Sequence, residues 1–474
     1  MLLEHSILRA RLRKYFALSA LATTALLVGT PAWSDDDSRG RKGNEAGDDR
    51  AVRLLKVIPV PVSTDNTTAG ALYSFDISWV DQASEIYYLA DRSNKAVDIL
   101  DAANPGAVTQ LKASPSFAGI SPPAFSTATS GPDGVVTGGH CLFVTDAPSR
   151  VVSFDTNFFP PKQISDVRTA TPTANRADEL AFDPKDNLLL VINNADTPPF
   201  GTFITVTPAT CVLTPPTAAN KIIFDAAHGV DATNGAEQPV WEPVTGRFYL
   251  SIPQIGPTVS HGGVVRIKPN ATSVGPSDVF GVDFCSPAGL TVGPRQDLFI
   301  GCNAVFDTAG GVWDPNGTIT AAPNDVIIDA KDGSIDTRVL GVGAGDEVWF
   351  NAGDGNYYAT GSSSPFRPLP AATAKGATPL GVVDAKDQKI LQQLTTYNVP
   401  AVLTGSASVL HPAGTAHSVA ADAENNHIFV PLPANNAFSA FAVPNGGSSA
   451  KIDCEFGCIA IYGHPDEDPG HPDD

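Results

Sequence analysis

Asp178-Glu179-Leu180-Ala181-Phe182-Asp183-Pro184, followed after a short turn by Leu188-Leu189-Leu190-Val191-Ile192, is the stretch whose reading decides the fold. An acidic pair opens it, a short apolar strand follows, Asp183-Pro184 turns the chain, and a second, branched apolar strand returns. The same order recurs downstream at Glu237-Gln238-Pro239-Val240-Trp241-Glu242-Pro243 with Phe248-Tyr249-Leu250, and at Ala288-Gly289-Leu290-Thr291-Val292-Gly293-Pro294 with Leu298-Phe299-Ile300. Further on come Asp346-Glu347-Val348-Trp349-Phe350 with Tyr357-Tyr358, and His417-Ser418-Val419-Ala420-Ala421-Asp422 with Ile428-Phe429-Val430. Upstream, Asp76-Ile77-Ser78-Trp79-Val80-Asp81 pairs with Ile86-Tyr87-Tyr88-Leu89-Ala90-Asp91, and a more degenerate copy runs from Pro132-Asp133 to Leu142-Phe143-Val144. Third strands follow several pairs, as at Ala96-Val97-Asp98-Ile99-Leu100, Val264-Val265-Arg266-Ile267, Val326-Ile327-Ile328 and Leu380-Gly381-Val382-Val383.

Units of three or four short antiparallel strands are the blades of a β-propeller. They begin at Asp76, Asp133, Asp178, Glu237, Ala288, Asp346 and His417, which predicts an all-β, seven-bladed propeller, with six blades as the alternative count. Most intervals exceed the roughly 40–50 residues of compact repeats, so loops are enlarged on at least one face. Gly 42 and Pro 40 with one Met agree with many turns and few helices. Each small sheet has two apolar faces that only neighbouring blades can cover, which favours a closed ring. Residues 54–60 read as an outer strand with no blade of its own, assigned to blade seven. The third strand of that blade is either Phe438-Ser439-Ala440-Phe441-Ala442-Val443 or Cys458-Ile459-Ala460-Ile461-Tyr462. The propeller domain is thus residues 51–463.

The N-terminus carries an address. Arg9, Arg11, Arg13 and Lys14 precede an apolar run over residues 15–28 and a small-residue site at Ala32-Trp33-Ser34. This is the pattern of a signal peptide cleaved near Ser34, with a run shorter than the roughly 20 residues of a membrane span. Residues 35–50 read as a flexible charged leader, and residues 464–474 as an acidic disordered tail. The expected product is periplasmic or extracellular, monomeric, and not inserted in a membrane. The formal net charge is −20, and the leader removes four basic residues but only Glu4 among the acidic ones. A surface this acidic repels phosphate backbones and anionic lipid, which argues against nucleic-acid partners and leaves a cation, a small molecule or a protein.

Six cysteines after an export signal permit disulfides. Cys285 and Cys302 fall at the same end of one hairpin, so a bridge is expected there. Cys454 and Cys458 can close a short loop, leaving Cys141 and Cys211 as a remaining pair or as buried thiols. There is no C-x-x-C for a zinc ribbon or a thioredoxin-like centre.

In a propeller, the start of each innermost strand and the end of the next one lie around the mouth of the central channel. That register gathers Asp76, Asp91, Asp133, Asp146, Asp178, Glu179, Asn193, Asn194, Asp196, Glu237, Gln238, Asn303, Asp346, Glu347 and His417. Carboxylates so crowded raise one another's pKa or recruit a cation. Their oxygens suit Ca²⁺ or Mg²⁺. Asp178, Glu179, Asn194, Glu237, Asp346 and Glu347 are the candidate metal ligands. His417, the one imidazole in this register, is a candidate general base beside Glu179 and Asp346.

At residues 178–196, 346–356 and 417–422 the chain resembles exported bacterial propellers of the YncE-like and NHL-like kind, and is broadly similar to gluconolactonase-like (SMP-30 type) propellers. The last resemblance implies a divalent cation held in the channel by Glu, Asn and Asp, the roles of Glu179, Asn194 and Asp346, polarising a lactone for attack by water. That family has six blades where seven units are counted here. Two functions are therefore expected: a ligand- or protein-binding platform with a divalent cation at its acidic mouth, or a metal-dependent hydrolase of a lactone or related ester.

Overall fold

The computed structural model describes residues 51–464, apart from 69, 121–125, 173, 313–322, 343–344, 362–377, 397–415, 435–453 and 455. The expected signal peptide, charged leader and acidic tail (but for His464) and the candidate strand at 438–443 lie outside the described residues. Among the described residues the regular structure is strand with short 3-10 turns, and no helix is long and apolar enough to cross a membrane.

Seven antiparallel sheets form seven blades. Their innermost strands are Ser78–Asp81, Val135–Gly138, Leu180–Asp183, Pro239–Glu242, Cys285–Val292, Gly345–Asn351 and Ala420–Asp422. Six sheets have four strands; in blade three the outer position is shared by Val212–Leu213 and Lys221–Ile223, both paired with Phe200–Thr207.

The alternation of side chains explains why the second strand of each blade is apolar throughout. Leu190 and Ile192 pack with Phe248 and Leu250 of blade four, whereas Leu189 and Val191 pack with Phe143 and Val151 of blade two. A strand covered on both faces needs apolar residues at odd and even positions alike. Every pair of neighbouring blades is glued by such a cluster, including blades seven and one through Phe429, Ile459 and Ile461 against Tyr87, Leu89 and Leu100. Second-strand aromatics stack across blades in equivalent places, Tyr87 on Phe429 at 4.8 Å and Phe299 on Tyr357 at 4.6 Å between ring centroids.

The turn between first and second strands is built by an acid or amide at the end of the innermost strand. Asp183 accepts the backbone N–H of Lys185 at 2.8 Å, Glu242 those of Val244 and Thr245 at 2.9 and 2.6 Å, and Asp422 that of Glu424 at 3.2 Å. The turn then needs a left-handed residue, supplied by Asn187 (φ 52°) or Gly246 (φ 62°), both residue types that tolerate it.

Ring closure follows the sequence reading. Arg53–Pro59 is the outermost strand of blade seven, paired antiparallel with Cys458–Gly463, which takes the third position. All six cysteines are bridged. Cys285–Cys302 crosses the inner hairpin of blade five, Cys454–Cys458 closes the loop leading into the closing strand, and Cys141–Cys211 staples blade two to blade three.

Candidate functional site

The residues just ahead of the innermost strands converge on the channel axis. Asp76, Asp133 and Asp178 of blades one to three each offer a carboxylate oxygen within 4.8 Å of the others. Two arginines lie among them. Arg92, directly after the second strand of blade one, donates from Nε to Asp133 Oδ1 at 2.7 Å and from Nη2 to Asp76 Oδ2. Arg176, two residues before Asp178, donates to Asp178 Oδ2 at 2.7 Å and reaches Asp76 Oδ2 and Asp133 Oδ1 at 3.4 Å. Asp76, Asp133, Asp178 and Arg92 are buried, and 11% of the Arg176 side chain stays exposed.

His417 of blade seven completes the charge network. Its Nε2 faces Asp76 Oδ1 at 2.7 Å and its Nδ1 faces Asp346 Oδ2 of blade six at 2.8 Å. Burial alone would lower its pKa, but Asp346 and Asp76 outweigh that and raise it to about 10. His417 is therefore an imidazolium at neutral pH. With both ring nitrogens protonated it has no lone pair for a substrate proton, so the geometry gives it the part of a resident cation.

Three cations face six carboxylates, and burial sorts the acids. Burial pushes Asp76 up, yet Arg92, His417 and Arg176 together hold it well below the usual carboxylate range. Asp133 is raised to about 7 by burial despite both arginines. Glu237 is raised to about 7 by burial and then by Asp346. Asp178 and Glu179 are pushed well above the ordinary range, first by burial; repulsion from neighbouring carboxylates adds to both, and for Asp178 Arg176 works against the rise. Asp133 Oδ2, Asp178 Oδ1 and Glu179 Oε2 are buried without a hydrogen-bond partner.

Two members of the family-like trio already have nitrogen partners. Asn194 turns its Oδ1 to Arg176 Nε at 3.4 Å, and Asp346 spends Oδ2 on His417 and takes Asn303 Nδ2 on Oδ1 at 3.4 Å. These oxygens already face N–H donors, as do the bonded oxygens of Asp76, Asp133 and Asp178, so the donor set suits guanidinium and ammonium groups better than a bare metal ion.

Several residues expected at the mouth do other work. Glu347 is turned into the ring wall because consecutive strand residues point to opposite sides, and Asp346 takes the channel side. In the wall, Glu347 accepts the N–H groups of Ser78 and Val419 at 3.2 and 3.1 Å and the hydroxyl of Ser418, tying blades six, one and seven together. Burial raises it to about 8. Asp91 caps a turn through the N–H of Asn94 at 2.9 Å, and Asp146 accepts from Ala118 N–H and Arg150 Nη1, both at 3.0 Å. Asn193 bonds Ser149, Arg176 O and Asp196, which fixes a loop, and Gln238 Oε1 accepts the N–H of Leu290 at 2.6 Å.

Arg92 was open to the same register argument that placed Asn194, since both follow the last residue of a second strand. Arg176 lies in a loop that no repeat marks. Deeper in the channel, Trp79 of blade one and Trp349 of blade six meet edge to face at 5.1 Å between ring centroids. Blade seven lies between those blades, so the two indoles meet in the channel itself. Trp79 Nε1 donates to Thr137 Oγ1 of blade two at 2.9 Å, and both indoles are half-buried.

No protein-family model matches the chain, and no curated protein sequence matches it. Among solved structures, it is similar to the hydrazine synthase of Kuenenia stuttgartiensis with a TM-score of 0.51 and 11% identity, over 77% of this chain and 94% of that one. At that identity the likeness carries the β-propeller architecture and nothing finer. As many as 1301 chains of solved structures match, a breadth that itself ties the fold to no single activity.

Proposed function

We propose that this chain is an exported β-propeller that serves as a binding platform, using the acidic mouth of its channel to hold a positively charged ligand. The observation that carries the reading is the surplus of carboxyl groups over cationic side chains at the mouth. Asp76, Asp133, Asp178, Glu179, Glu237 and Asp346 outnumber Arg92, Arg176 and His417, and three of the acids keep a buried oxygen without a partner. A ligand that brings positive charge and N–H or metal character relieves both defects. Three disulfides support export, because such bonds persist in oxidising compartments, and so does the leader pattern of residues 1–34.

The test is calorimetric titration of the mature chain with Ca²⁺, Mg²⁺ and small ammonium compounds, beside elemental analysis of the purified protein. Saturable binding that Glu179→Gln weakens is expected, and no binding of any cation overturns the reading. A second reading, a metal-dependent hydrolase of a lactone or ester, draws on the grouping of Asp76, Asp133 and Asp178 within 4.8 Å. Against it stand the two guanidiniums in that group and the protonated state of His417, which leaves Glu179 and Asp346 to handle protons. Turnover of a lactone panel that depends on added Ca²⁺ or Mg²⁺ would favour this second reading over the first.

A further inference from the structure

We infer that the ligand of this mouth is an organic ammonium ion carried on an apolar body, rather than a bare divalent cation; the inference rests on the binding reading above. Two independent features lead there, one at the carboxylates and one below them.

The first is how the carboxylate oxygens are used. Asp76 Oδ2 and Asp133 Oδ1 are each shared by the two guanidiniums, Asp178 Oδ2 holds Arg176, and both oxygens of Asp346 face nitrogen donors. A divalent ion wants six or more oxygens gathered at one point, and the positive groups already present would repel it. An ammonium group needs only a few acceptors in separate directions. Glu179 Oε2, buried and unpartnered, is such an acceptor, and it lies in the electrostatic reach of Glu237 and Asp346.

The second feature is the aromatic pair. Trp79 and Trp349 follow Asp76 and Asp346 by three residues in the chain, toward the turn end of the innermost strands of blades one and six. Their half-buried indoles meet in the lumen. A hydrated metal ion gains nothing from such a floor. An alkyl or aryl group attached to the ammonium gains apolar contact, and a cation approaching the ring faces gains the attraction of their quadrupoles. An unpartnered buried carboxylate oxygen together with an indole pair suits a ligand with its charge at one end and an apolar body at the other.

The experiment uses the mature full chain and four probes: phenethylamine, its uncharged analogue 2-phenylethanol, methylamine and Ca²⁺. Indole emission and calorimetry are read together. Phenethylamine is expected to bind, to change the tryptophan emission, and to bind about ten-fold or more tighter than methylamine. 2-Phenylethanol is expected to leave both signals unchanged. Glu179→Gln and Trp349→Leu are each expected to weaken phenethylamine by about ten-fold or more, with near-ultraviolet circular dichroism showing that each variant keeps its packing. Equal binding of phenethylamine and methylamine, or binding unaffected by both variants, would overturn the inference. Ca²⁺ binding without phenethylamine binding would overturn it while leaving the binding platform standing. Failure of every cation would overturn both.

Discussion

Replacing His417 by Gln tests the charge network through its dependence on pH. In the folded chain the imidazole is held between Asp76 and Asp346, and its pKa rises from 6.5 to about 10. A group whose pKa is raised on folding stabilises the protein fully below its unfolded value. That contribution is lost as pH climbs toward the folded value. The window is therefore pH 6.5 to about 10, with a slope of up to about 1.4 kcal/mol per pH unit and an upper bound of about 5 kcal/mol across it. The side chain is 16% exposed, so solvent screening trims this only modestly. His417→Gln removes the titrating group and keeps a donor. The stability difference between wild type and variant, from urea unfolding, is expected to be largest near pH 6 and to shrink by about 3 kcal/mol by about pH 9. A difference that stays constant, or grows with pH, would refute the claim that His417 is a resident cation. Acids raised by burial, Asp133, Glu237 and Glu347 among them, act with the same sign in a lower window, between ordinary carboxylate values and about 7 to 8. Both proteins keep these acids, so most of their contribution cancels in the comparison, apart from Asp76 and Glu347, whose carboxyls His417 itself holds lower.

Four further outcomes are expected. Arg176→Met leaves Asp76, Asp133 and Asp178 with one guanidinium and should destabilise by about 3–5 kcal/mol, while raising affinity for Ca²⁺; unfolding curves and calorimetry check the two halves separately. Cation binding at the mouth should strengthen from about pH 6 to about pH 8 as Glu237, raised to about 7, ionises, and titrations at both pH values read this directly. Replacing Cys141 and Cys211 together by Ser opens a bridge with a sequence separation of 70 and should cost about 4 kcal/mol, seen as a lower Tm by calorimetry. Gly289→Ala should destabilise by about 1–3 kcal/mol, because a Cβ there would meet Asp346 O at 2.9 Å and Val348 N at 3.0 Å; denaturant unfolding measures it.

The blades were legible because their physics is local and repeated. An acid or amide at a strand end, a turn residue and a two-faced apolar strand recur at Asp81, Asp183, Glu242, Asn351 and Asp422, and repetition separates signal from accident. Closure was legible for a related reason: residues 54–60 formed a strand without a sheet. The charge balance of the mouth was only half legible. A register argument finds positions at strand ends but says nothing of loops, so Arg176 escaped it and the funnel read as strongly acidic. Nor can a register distinguish Asp346 from Glu347 until the strand's bulge and twist decide which one faces the channel. The pairing of Cys141 with Cys211 joins two blades, and spacing along the chain carries no trace of that proximity.

The strand Arg53–Pro59 lies against Cys458–Gly463, at the other end of the described chain. A polypeptide made from its N-terminus therefore has its first strand in hand long before the partner of that strand exists. Until the last blade arrives, Val52, Ile58 and Val60 have no completed surface to enter, and the paired edge of Cys458–Gly463 is absent altogether. The ring thus acts as a check on its own completion: a chain that stops early is missing its clasp, with exposed edges that proteases and chaperones can read. Only the finished ring holds the first and last described strands in the same blade.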